Sequence, residues 1–360
     1  MKTRIAGKYR PHWQVSMLTA VLLLTLAAHA QDVAGETTFK FAQIPDISAI
    51  GSLSADSEND IWATSVLEPV ALHFDGKQLK TVPMVNGSRI NKVAALSPSN
   101  VWAVGQQTQA NLSQIQHFDG KQWTAVPSPH SANGEVLNSL KAISAKSILA
   151  VGAVLGAGNN RTPLVEHFDG TTWKAVQVPR IAGGELLDAA IVSPSDIWAV
   201  GFDSSSVLTL HFDGKQWSRV AAPGASAALH AVTAVSTNDV WAVGSQVGES
   251  ALIEHWDGSA WTIVGNPSDI NSMLVDLSVI SSTDIWAVGC TVTACGDAGG
   301  IPLIEHWDGT QWNVNSAPIE DDGENGLAVL AFPSRHIYIG GFAFGTQGPI
   351  AFLMRGVEGR

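Results

Sequence analysis

Cysteine and tyrosine are nearly missing, with two of each in 360 residues. That excludes a disulfide-framework scaffold and any zinc or iron–sulfur centre built on four thiolates. Charge is sparse as well, at 14% of the chain, and lopsided, with 32 acidic against 20 basic side chains and a formal net charge of −12. Phosphate contact needs a basic footprint, so nucleic acid is excluded as a partner. Beyond residue 30 no apolar run approaches the roughly 20 residues that a bilayer-spanning helix requires. No stretch there reads as a helix of any kind, because the apolar runs are short and broken by Gly, Asp, Asn, Ser and Pro.

The first thirty residues differ from the rest. Lys2, Arg4, Lys8 and Arg10 form a basic segment, Ser16 to Ala28 a short apolar one, and Ala28-His29-Ala30 a small-x-small site. This predicts a signal peptide over residues 1–30, cleavage near Ala30, and a secreted or periplasmic mature chain starting at Gln31. Removing four cations and no acids takes the net charge from −12 to −16. An acidic chain of that kind suits a soluble extracytoplasmic protein.

What the remainder has is repetition. The stretch Asp239 to Val264 contains Asp-Val-Trp-Ala-Val-Gly and then Leu-Ile-Glu-His-Trp-Asp-Gly-Ser-Ala-Trp-Thr-Ile-Val. Its Trp-Ala core returns at Trp62, Trp102, Trp198 and Trp286, with Leu149 and Tyr338 in the same slot, so there are seven copies. A His-aromatic-Asp-Gly signature follows at His73, His117, His167, His211, His255 and His306. A period in the forties with four short apolar segments per unit is the pattern of a propeller blade.

The termini show how the ring closes. Thr37-Thr38-Phe39-Lys40 matches Thr171-Thr172-Trp173-Lys174, the opening of a fourth strand, yet no first three strands precede it. The last copy lacks a fourth strand. Residues 31–360 are therefore expected to form one all-β domain, a seven-bladed β-propeller of four-stranded antiparallel blades. Residues 38–45 close the last blade, and the blades run from 46 to 356. Closure removes the free sheet edges of an open array.

Ile337-Tyr338-Ile339-Gly340-Gly341, with a second strand ending in Gly and a fourth opening on Trp, resembles kelch repeats. Val-Trp-Ala-Val followed by Trp-Asp-Gly-Ser-x-Trp resembles tectonin-type lectin repeats. Both resemblances imply a propeller across Phe39 to Gly356. Copper-dependent kelch oxidases would need Tyr and Cys ligands that are missing from this chain.

Every tryptophan after residue 30 falls in a repeat slot, which reads as inter-blade packing. The repeated histidines radiate around a ring and cannot converge on one ion, so they read as hydrogen-bonded structural residues, as do Glu166, Glu254 and Glu305 beside them. Cys290 and Cys295 are spaced for a local disulfide in an oxidising compartment.

Function belongs where the copies differ. The loops joining strands 2 to 3 and 4 to 1 emerge on one face and vary most, so the ligand site is expected there. Where each 4-to-1 loop enters the innermost strand the copies offer Ser48, Asn91, Asn138, Asp188, His230 and Asp276, with Ala328 in the seventh. These are expected to ring the channel mouth, either as a polar pocket for a hydroxyl-rich or cationic ligand or as ties between loop backbones. Asp321, Asp322 and Glu324 form an acidic cluster beside Gly323 that could hold Ca²⁺ or stand as a solvated loop. No other cofactor is implied.

Three function classes are open. The first is a secreted, monomeric, non-catalytic propeller binding a cell-envelope or environmental glycan. The second is a scaffold for an envelope protein. The third is a glycosidase or lyase using Asp188, His230 and Asp276 as acid and base, two carboxylates being the minimum for glycoside cleavage.

Overall fold

A computed structural model describes residues 37–131, 133–157, 160–246, 250–268, 271–291, 301–316, 324–345 and 348–357, with Thr38, Phe41 and Glu324 described by backbone alone. The expected signal peptide, the acidic cluster at Asp321 and Asp322, and Cys295 lie outside these residues. Cys290 is disulfide-bonded.

The chain is all-β, a seven-bladed propeller of 28 strands in seven four-stranded antiparallel sheets. No α-helix occurs among the described residues. Six blades take their strands in sequence order. The seventh is built from Glu324–Ala331, His336–Gly345 and Gly348–Val357 and is completed by Thr38–Ile44 from the other end of the chain. The closing register runs from Thr38 opposite Val357 to Ile44 opposite Ala351.

Burial explains why the second strand of each blade carries a continuous apolar run. A blade is covered on both faces by its neighbours, so Ile197 to Gly201 is buried without a break. The fourth strand lies at the outer rim and shows the opposite pattern. Trp123–Val126, Trp173–Val176 and Trp217–Val220 each bury the opening tryptophan and expose the two residues after it.

Aromatic rings join blade to blade. Trp198 of one blade lies 4.9 Å from Trp256 and 5.2 Å from Trp261 of the next, and Trp241 lies 4.8 Å from Trp307 and 5.7 Å from Trp312. Trp62, Trp198, Trp241 and Trp286 also stack on the repeated histidine beside them, as Trp286 does on His306 at 4.2 Å, and Trp102 meets His117 at a tilt of 37°. One carboxylate holds both rings, for Asp239 accepts from Trp241 Nε1 and His255 Nε2 at 2.8 Å each. Asp60 and Asp284 do the same in their own blades. The repeated histidine is thus a hydrogen-bonded part of the packing.

A bulge interrupts every innermost strand. In Ala227–Ser236 it is His230, which is skipped between the Leu229–Gly244 and Ala231–Val243 pairs. The facing glycine makes this approach feasible, because a Cβ on Gly244 would stand 1.9 Å from the Ala228 carbonyl oxygen. Gly105, Gly152, Gly201, Gly289 and Gly341 occupy the same place with equally close carbonyls, at 1.8 to 1.9 Å.

Candidate functional site

The bulge decides where the six expected site residues point. Asn91, Asn138 and His230 are themselves the bulged residues, whereas Asp188 and Asp276 come one position later, where pairing resumes. Ser48 precedes the first strand of its blade, Ile50–Ser57. The six therefore occupy three different positions of the repeat and do not form one ring. A one-residue insertion turns every later side chain to the other face, and the bulged residue itself has no fixed counterpart.

Each of the six is held by the chain. Ser48 binds Glu68, a residue of the 2-to-3 loop of its own blade. Asn91 Nδ2 donates to the Leu137 carbonyl and Asn138 Nδ2 to the Leu186 carbonyl, each 2.8 Å away on the following blade. His230 Nε2 lies 3.1 Å from Ser245 Oγ, and burial lowers its pKa. Asp188 accepts from Ser139 Oγ at 2.6 Å and from the Val232 N–H at 3.1 Å, and Asp276 accepts from the Val329 N–H at 3.0 Å. Ser52 accepts from Val93 N–H in the same way. The innermost strand of a blade has no sheet partner on its channel side, and these side chains take up the N–H groups that would otherwise be orphaned.

Two lysines that the sequence reading passed over complete the channel. Lys92 reaches across the ring from the second blade to Asp276 of the sixth, Nζ to Oδ1 3.0 Å, and Lys141 lies 3.4 Å from Asp188. Burial would raise the Asp188 pKa, but Lys141 and Lys92, with the Ser139 and Val232 hydrogen bonds, outweigh it and hold the carboxyl below its ordinary value. Burial would likewise lower that of Lys92, and the charges of Asp276 and Asp188 reverse the direction. Lys92, Lys141 and Asp276 line a space of about 320 Å³ together with Ser54, Thr233 and Ser278, and Asp188, paired to Lys141, brings the four charges into balance. Every oxygen of both carboxylates already accepts a hydrogen bond or ion pair. The signal for the lysines was the strand-2 glycine, which marks the bulge opposite and so the position that faces the channel.

The loop-rich face is fixed by four more carboxylates. Glu68 is bound by Ser48 and Ser65, and Glu135 by Ser113, His130 and the Ser131 N–H. Glu185 is bound by Asn138 and Arg161, and Asp203 by Ser205, Ser206 and Arg219. Each joins a 2-to-3 loop or the start of an innermost strand to its surroundings, and together they hold that face in one shape. Among the described residues no group of three or more His, Cys, Asp or Glu is placed to hold a metal ion.

The fold has been seen before. A structure of YCF48 bound to D1 peptide matches with a TM-score of 0.60 over 92% of this chain and 99% of that one, at 17% identity. Virginiamycin B lyase from Staphylococcus aureus matches with a TM-score of 0.63 over 88% and 99%, at 11% identity. The GH74 xyloglucanase of Xanthomonas campestris matches with a TM-score of 0.60 over 87% of this chain and 55% of its own, at 13% identity. At such identities the likeness is one of fold. No family model matches the chain, and no curated protein matches it.

Proposed function

We propose that this protein is an exported, non-catalytic binding propeller whose loop-rich face holds a polypeptide partner. The observation that carries this reading is the use of Glu68, Glu135, Glu185 and Asp203 to lock the loops of that face, which preorganises a surface. Catalysis by Asp188 and Asp276 is disfavoured because both are ion-paired to lysines and accept from backbone N–H groups. A general acid or base must instead reach the proton it transfers.

The glycan expected from export and from the kelch-like or tectonin-like plan needs ring faces to stack on. Among the described side chains no aromatic ring is exposed, and the tryptophans lie buried or half-buried between blades. Leu67, 60% exposed in a 2-to-3 loop, and Ile301, 43% exposed at the start of a third strand, offer aliphatic contact on the same face. One of the neighbours by fold is recorded with a peptide bound, which accords with this reading. Parallel arrays of peptides and glycans probed with the purified protein test it. Saturable peptide binding that Leu67→Asp weakens supports it, and binding confined to glycans replaces the polypeptide with a sugar.

A further inference from the structure

One of the seven blade interfaces is unfilled. Elsewhere the fourth strand opens on a ring that enters the interface with the preceding blade, namely Trp123, Trp173, Trp217, Trp261, Trp312 and Phe39. At the seam between the last blade and the first, this position is Leu79, and the facing second-strand indole is replaced by Tyr338. A cavity of about 390 Å³ results, lined by Ile50, Leu53, Ala63, Leu72, Leu79 and Tyr338. It lies within the roughly 300–1,000 Å³ range of small-molecule sites.

The rim carries charge in a defined arrangement. In this blade the Asp–Trp–His set is replaced by His336, Tyr338 and Arg355, and Arg355 Nη2 lies 2.9 Å from His336 Nε2. His336 Nδ1 lies 2.8 Å from Glu58 of the first blade, so the one rim carboxylate is already held. Lys40 is exposed at the mouth and has no ion-pair partner among the described residues. The turns nearby join strands 1 to 2 and 3 to 4, which places the cavity toward the face opposite the variable loops.

We propose that the seam is a binding site for a small planar aromatic acid. Its ring takes the place that a fourth-strand indole fills at the other interfaces, and its carboxylate meets Lys40. The six filled interfaces define the shape and chemistry of the occupant, and the unpaired ammonium defines its charged end. This site is separate from the loop-rich face, so it stands or falls apart from the polypeptide reading.

Calorimetric titration of the purified protein with 1-naphthoate, and with uncharged 1-naphthylmethanol as control, tests the proposal. The expected result is saturable one-to-one binding of the acid. Leu79→Trp should weaken it at least about tenfold by filling the space, with a melting temperature no lower than that of the native protein. Lys40→Gln, at an exposed position that leaves the fold intact, should weaken the acid up to about fivefold and leave the alcohol unchanged. Absence of saturable binding to the native protein overturns the proposal, as does binding that neither variant alters.

Discussion

Glu254 and Glu305 accept from the Gly224 N–H and from Ser268 Oγ of the loops that enter their blades. Glu166, expected to be hydrogen-bonded like them, has no partner for either oxygen among the described residues, and all three are wholly buried. Burial, with the charge of Glu135 in addition, pushes Glu166 up to about 8, and burial pushes Glu254 and Glu305 up to about 7. A carboxyl whose folded pKa is raised binds its proton more tightly when folded. Its contribution is therefore fully present below the ordinary glutamate value and is lost as pH rises through about 7 to about 8. The melting temperature is expected to fall between pH 6 and pH 9. Glu166→Gln, which keeps the shape without the charge, should flatten that decline and stabilise the protein at pH 9 by about 1–3 kcal/mol. Thermal melts at both pH values check this. Lys92 makes the complementary case. Lys92→Met leaves the buried Asp276 carboxylate without its cation and should cost about 3–5 kcal/mol in a urea titration, most of which Asp276→Asn in the same chain should restore.

At the scale of the element, the strands were legible and the bulge was not. Short apolar runs set off by Asp-Gly turns marked all four strands of a blade, and the structure places Trp198 and Trp241 between blades as those slots imply. The channel residues were misaligned because Asn91 and His230 stand one position before Asp188 and Asp276 in the same repeat. A bulge carries no apolar signature, and only the facing glycine betrays it. Gly244→Ala would set a methyl group against the Ala228 carbonyl at 1.9 Å and should cost more than about 2 kcal/mol. Gly265→Ala meets nothing within 4 Å and should be close to neutral, as paired denaturation curves would show. The Lys92–Asp276 pair was illegible for another reason. Its members are 184 residues apart and meet only because the ring closes.

For the whole molecule, the two ends of the chain make one sheet. Seven pairs from Thr38–Val357 to Ile44–Ala351 hold the ring shut, and the expected strand 38–45 is observed over Thr38–Ile44. The seam where the ends meet is also where the fourth strand opens on no aromatic ring, since Leu79 stands there and Tyr338 faces it. Both departures were visible as letters, but a cavity is an absence of atoms and needs the assembled ring to be seen. The remaining differences between copies gather on the loop-rich face, and that is where the proposed partner binds.

Photo-crosslinking in cells that produce the protein tests this most directly. A photoreactive residue replaces Leu67 on the loop-rich face in one variant and Lys215, on the opposite turns, in another. The account predicts a discrete protein adduct from position 67 and none from position 215. Adducts from position 215 alone, or none from position 67, would contradict it.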